Sequence, residues 1–121
     1  MDKRENGAGT VLAMGLVFAI LVLMLMVMAL GHAAVAASKA ATAADLSALA
    51  AADAYRGLST GPPCQIAGDV AALHGASLIE CRLAGDQSVQ VKVSIKTALP
   101  WLSTGMARAG PPPDTVLPGQ P

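Results

Sequence analysis

Val11-Leu12-Ala13-Met14-Gly15-Leu16-Val17-Phe18-Ala19-Ile20-Leu21-Val22-Leu23-Met24-Leu25-Met26-Val27-Met28-Ala29-Leu30 decides how this chain is organised. These 20 residues contain no Asp, Glu, Lys or Arg. Wound as an α-helix they span about 30 Å, the thickness of a bilayer's hydrocarbon core. A helix of that length inside a soluble domain keeps a polar stripe, and this one has none. The stretch therefore reads as a transmembrane helix, with the lipid bilayer as its partner.

The flanks set the expected orientation. Lys3 and Arg4 precede the run closely, and the first basic residue after it is Lys39. Positive charge stays on the cytoplasmic side, so Lys3 and Arg4 act as topology determinants. The N-terminus is expected in the cytoplasm and the C-terminus outside, in a single-pass protein of the cell membrane. A cleaved signal peptide is the competing reading, because Ala34-Val35-Ala36 offers an A-x-A site. The apolar run is longer than the usual signal core of about 7–15 residues, which favours a retained signal anchor.

Beyond the run the chain turns to alanine. No Pro or Gly interrupts residues 32–56, and Ala is the best helix former. One helix from about residue 8 to 56 follows, about 70 Å long, with Gly57 as its stop. Asp45, Asp53 and Arg56 fall near one face, and Leu46 and Leu49 mark another. Ala44, Ala48 and Ala51, spaced by four and three, share a face with very little bulk. They are expected to form a helix-packing surface for another helix in an assembly, as small residues allow close approach. A plain helical stalk is the competing reading.

Gly61-Pro62-Pro63 breaks the helix. Cys64 to His74 reads as a short second helix with Ile66, Val70 and Leu73 on one face. Two strands follow. Leu78–Leu83 places Ile79, Cys81 and Leu83 inward, and Ser88–Lys96 places Val89, Val91, Val93 and Ile95 inward. Ala84-Gly85-Asp86-Gln87 is the hairpin turn, and a short third strand fits around residues 105–109. From Gly110 the prolines predict a disordered tail. Aromatic residues are only 2% of the chain, against 54% apolar residues overall. So thin a core needs a staple, and the only two cysteines, Cys64 and Cys81, lie on the side where disulfides persist.

The expected class is α+β. Residues 1–9 form a cytoplasmic segment, 10–31 the transmembrane helix and 32–57 an Ala-rich helical stalk. Residues 58–109 form a small disulfide-linked domain of one helix on a two- or three-stranded antiparallel sheet, and 110–121 the Pro-rich tail.

Chemistry is sparse. The formal net charge is zero, with eight basic and eight acidic residues and no basic stripe, so no nucleic-acid partner is expected. His32 and His74 stand alone, without the clustered ligands a metal requires. Asp69, His74 and Ser77 supply the types of a triad, but types alone carry almost no information, and His74 fits better at a helix end. No enzyme activity, metal or cofactor is expected.

Several segments together resemble the TadE-like and TadG-like proteins of tight-adherence (Flp-type) pilus and secretion systems. Closest is the short branch found beside helicase and secretion genes in actinobacteria. The residues that carry the likeness are Gly7-Ala8-Gly9-Thr10-Val11-Leu12-Ala13, entering the membrane run. A second set is Ala40-Ala41-Thr42-Ala43-Ala44-Asp45-Leu46-Ser47-Ala48-Leu49-Ala50-Ala51-Ala52. Pro63-Cys64, Cys81 and the closing Ala107-Arg108-Ala109-Gly110-Pro111 complete it. The resemblance implies a membrane-anchored, pilin-like structural or assembly component. Its partners would be other pilus or secretion components, met through the N-terminal helix, with a homo-oligomer as a further option. The fifth position after Gly7 is Leu12 and after Gly9 is Met14, where prepilins carry Glu. An uncleaved accessory therefore fits better than a major filament subunit. The alternative function is a small exported binding or surface protein released by signal cleavage.

Overall fold

The structure is a computed structural model that describes residues 3–97 and 103–112. The fold is α+β. Helix α1 (Lys3–Tyr55) leads into a shorter helix α2 (Pro63–Leu73) and three strands, β1 (Ser77–Leu83), β2 (Val89–Ile95) and β3 (Ser103–Ala109). The strands form one antiparallel sheet in the order β1-β2-β3. The chain divides into two compact units, residues 1–35 and 36–121.

Local chemistry ends each helix. Gly57 adopts φ +77°, where a side chain would be strained. This lets Leu58 N–H donate to Asp53 O at 2.8 Å and Gly57 N–H to Ala54 O at 3.1 Å, closing the last turn of α1. Pro63 opens α2 at a position whose N–H would go unused. His74 caps the other end of α2, its N–H donating to Ala71 O at 3.0 Å, and Gly75 at φ +70° turns the chain toward β1.

The core of residues 36–121 is made of valines on one side and alanines on the other. Val89, Val91 and Val93 of the central strand are buried, as period-two alternation requires. Against them pack Ala43, Ala44, Ala48, Ala51 and Ala52 of α1 with Ala67 and Ala71 of α2. Where β3 meets α1 the backbones almost touch. A Cβ built on Gly105 would overlap the Ala40 carbonyl and lie 2.9 Å from Ala41 N. Only glycine fits there.

Two of the expected inward faces need correction. On β1 the register slips between Leu78 and Glu80: Leu78 pairs with Val93 and Glu80 with Lys92, leaving Ile79 as the extra residue of a β-bulge. Leu78 and Cys81 therefore face the core, while Ile79 is exposed. On α2 the buried positions are Ala67 and Ala71, and Leu73 projects into solvent. The disulfide explains the rotation: Cys64, Ala67 and Ala71 share one face, so tying Cys64 to Cys81 turns that face toward β1.

The boundary of the expected stalk moves as well. Residues 40–55 supply more than half of the buried residues, so they belong to the unit of residues 36–121 and are not a separate stalk over 32–57. A two- or three-stranded sheet needs a cover for its apolar face, and the 11-residue α2 is too short to provide one alone. The Pro-rich tail lies outside the described residues from position 113 onward.

Candidate functional site

Residues 7–35 form a bare apolar rod. Its large side chains are all exposed, from Val22 at 36% to Met14 at 75%. None of the most apolar 18-residue window is buried by the rest of the chain. In water such a surface would aggregate, whereas hydrocarbon solvates it and the helix satisfies every internal backbone group. One long apolar N-terminal helix of this kind is compatible with a single-pass membrane anchor. Open space surrounds Gly15, which with Ala19 makes a small pair on this rod. The side chains of Lys3 and Arg4 lie outside the described residues.

Ala44, Ala48 and Ala51, expected to meet another helix, are instead buried within the chain itself. They are 0%, 1% and 0% exposed and belong to the same cluster as Val89, Val91 and Val93. The expected partner helix is replaced by the protein's own sheet. The small bulk of alanine lets α1 approach that sheet, as the Ala40–Gly105 contact shows.

Cys64 and Cys81 form a disulfide with their Cα atoms 5.8 Å apart. It joins the first turn of α2 to the middle of β1, and Leu78 reaches Gly68 of the same helix. Cross-linking a loop of this length stabilises a fold by about 3 kcal/mol in the chain-entropy picture.

Two features gave little sign in the sequence. Ser47 sits in the alanine face, fully buried, and its hydroxyl has no hydrogen-bond partner among the described residues. The second is a polar clasp at the far end of the sheet. Ser88 donates its hydroxyl to Asp86 Oδ1 at 2.5 Å and its N–H to the same oxygen at 3.2 Å. Arg108 donates to Ser88 Oγ from Nε (3.0 Å) and Nη2 (2.8 Å), and to Asp86 Oδ2 at 2.9 Å. The Ser88 hydroxyl holds the Asp86 carboxyl below the usual carboxylate range, against the opposing effect of burial, with Ser88 N–H and the Arg108 guanidinium adding to it. The clasp ties the β1–β2 turn to the end of β3. That turn places Gln87 in the left-handed region at φ 61°, with Gln87 N–H donating to Ala84 O at 3.2 Å. An Asp two residues before a Ser at a turn is a readable signal for the first half, while Arg108 is 20 residues further on.

Asp69, His74 and Ser77 make no hydrogen bonds with one another. Among the described residues, no three His, Cys, Asp or Glu side chains gather as a metal site would require. No protein-family model, curated protein or solved structure matches the chain.

Proposed function

We propose that the protein is a membrane-anchored structural component of a surface assembly, in the manner of the TadE-like and TadG-like proteins of pilus or secretion systems. The observation that carries this reading is the division of labour along α1. Its first part offers only lipid-compatible surface, and its last part is the backbone of the outer unit's core. Helix α1 spans Lys3–Tyr55, so the unit of residues 36–121 includes the last part of the anchor's own helix. Lys3 and Arg4 favour an N-in, C-out orientation, and no enzymatic role is proposed.

A second reading has its own observation. The compact outer unit begins at Ala36, the last residue of the Ala34-Val35-Ala36 motif. Cleavage there would release a unit that keeps every core alanine from Ala40 onward. The exported protein of the alternative function would therefore keep those core residues.

Intact-mass measurement on the membrane fraction separates the two. The anchored reading expects a chain that retains residues 1–36 and co-purifies with pilus or secretion components. A mature chain starting at Ala37, recovered outside the cell, would replace it with the exported-protein reading.

A further inference from the structure

We infer that the docking of β3 on helix α1 decides whether the chain is cut after Ala36. Once the strand is seated, the Ala36–Ala37 bond is held in a helical turn that a signal peptidase cannot open. The inference goes beyond both readings of function, because it names what selects between them.

The motif Ala34-Val35-Ala36 puts small residues at the third and first positions before the bond. Cutting there adds water across the Ala36 C–Ala37 N bond and leaves a carboxylate on Ala36 and an amine on Ala37. The carbonyl to be attacked is that of Ala36, and within α1 it accepts the N–H of Ala40, four residues on. A peptidase needs this turn opened, so the rate of cutting follows the population of the opened form.

What keeps the turn closed is at Ala40. Ala37, Ser38 and Lys39 are exposed and Ala36 is partly buried, whereas Ala40 is 0% exposed. Strand β3 lies against the Ala40 backbone, so close that a Cβ on Gly105 would overlap its carbonyl. Opening the turn moves the backbone on which the strand rests. The strand is itself held along its length, paired with β2 from Val89↔Ala109 to Ile95↔Ser103. Arg108 fastens its far end to Ser88 and Asp86. The scissile bond is therefore open to solvent on one side and tied, through one helical turn, to the whole sheet.

Chain order creates the choice. About 70 residues separate the motif from Gly105, and synthesis at about 5–20 residues per second takes roughly 3–14 s to cross them. During that window the motif exists and its lock does not. A peptidase acting then releases a chain that starts at Ala37 and still carries Ala40. A peptidase arriving later meets the closed turn, and the apolar helix stays attached.

The test uses the full chain, folded and oxidised in dodecylmaltoside micelles, with purified type I signal peptidase added afterwards. Intact mass identifies a product starting at Ala37, and an unrelated secretory precursor in the same tube calibrates the peptidase. The wild-type chain should stay uncut. Gly105→Ala, which pushes β3 off Ala40, should be cut at least about tenfold faster. Mild urea can bring the wild type to the melting temperature of Gly105→Ala, and at that match the variant should still be cut several-fold faster. Rates that follow melting temperature alone overturn the inference, because global unfolding then opens the site. So does a folded wild-type chain cut as fast as Gly105→Ala, or no cut after Ala36 in either chain.

Discussion

Helix α1 contains two regions that reverse the ordinary rule of burial. Over residues 11–30 it carries Leu, Met, Val and Ile, and the chain buries none of them. Over residues 40–54 it carries mostly Ala, and eight positions, seven alanines and Ser47, are buried. Hydrophobic content alone would assign the core to the first region. The difference lies in what solvates each half. Large apolar side chains suit hydrocarbon, which needs only area, while a close approach to a sheet needs a helix with little bulk. In this chain residue size, more than hydrophobicity, marks where the protein packs on itself.

The sharpest break of that comparison is to remove the staple from the packed half. Cys64→Ser with Cys81→Ser should lower the stability of the unit of residues 36–121 by about 3 kcal/mol. Thermal unfolding followed by circular dichroism should show it, while membrane partition, set by residues 11–30, stays as in the wild type.

A next, smaller effect contrasts the two halves directly. Ala48→Leu forces a larger side chain into a filled interface and should cost about 1–3 kcal/mol in denaturant unfolding. Ala19→Leu, on the bare half, should leave that unfolding curve unchanged. Equal effects at the two positions would erase the distinction.

Ser47 allows a gain. Replacing it with Ala removes a buried hydroxyl without a partner and completes the alanine face. The unfolding midpoint should rise, by a stabilisation of about 1 kcal/mol.

The smallest expected effect is at the clasp. The Asp86 carboxyl lies below its ordinary value in the folded chain, so its stabilising contribution is fully present above the ordinary Asp range. It is lost as pH falls through the depressed folded value. A carboxyl-detected NMR titration of Asp86 should give a lower midpoint than the same titration after Ser88→Ala.

Much of this was legible from residue types. The uncharged run at Val11–Leu30, the alternation of Val89, Val91, Val93 and Ile95, and the paired cysteines each carry a local physical signature. The alanine face did not. With Ala at positions 40, 41, 43, 44, 48, 50, 51, 52 and 54, no period separates the covered side from the open one. Its occupant depends on a sheet formed 40 and more residues later in the chain. The bulge at Ile79 was hidden because unbroken alternation is also a valid reading of Leu78–Leu83, and only pairing with β2 shows the slip. Strand β3 has few β-branched residues, so its start at Ser103 follows from its partner β2, with which it pairs from Val89↔Ala109 to Ile95↔Ser103.

The central claim is that the buried alanine face of α1 packs on the chain's own sheet and so is not open to a partner helix. The contact between Gly105 and Ala40–Ala41 reports on it most directly. Isotope-filtered NMR of the full chain in detergent micelles, on a mixture of labelled and unlabelled copies, would measure it. The account predicts a strong nuclear Overhauser effect from the Gly105 α-protons to Ala40 and Ala41, arising within single labelled chains. Absence of that effect, or its appearance only between labelled and unlabelled copies, would contradict the account and return the alanine face to an external partner.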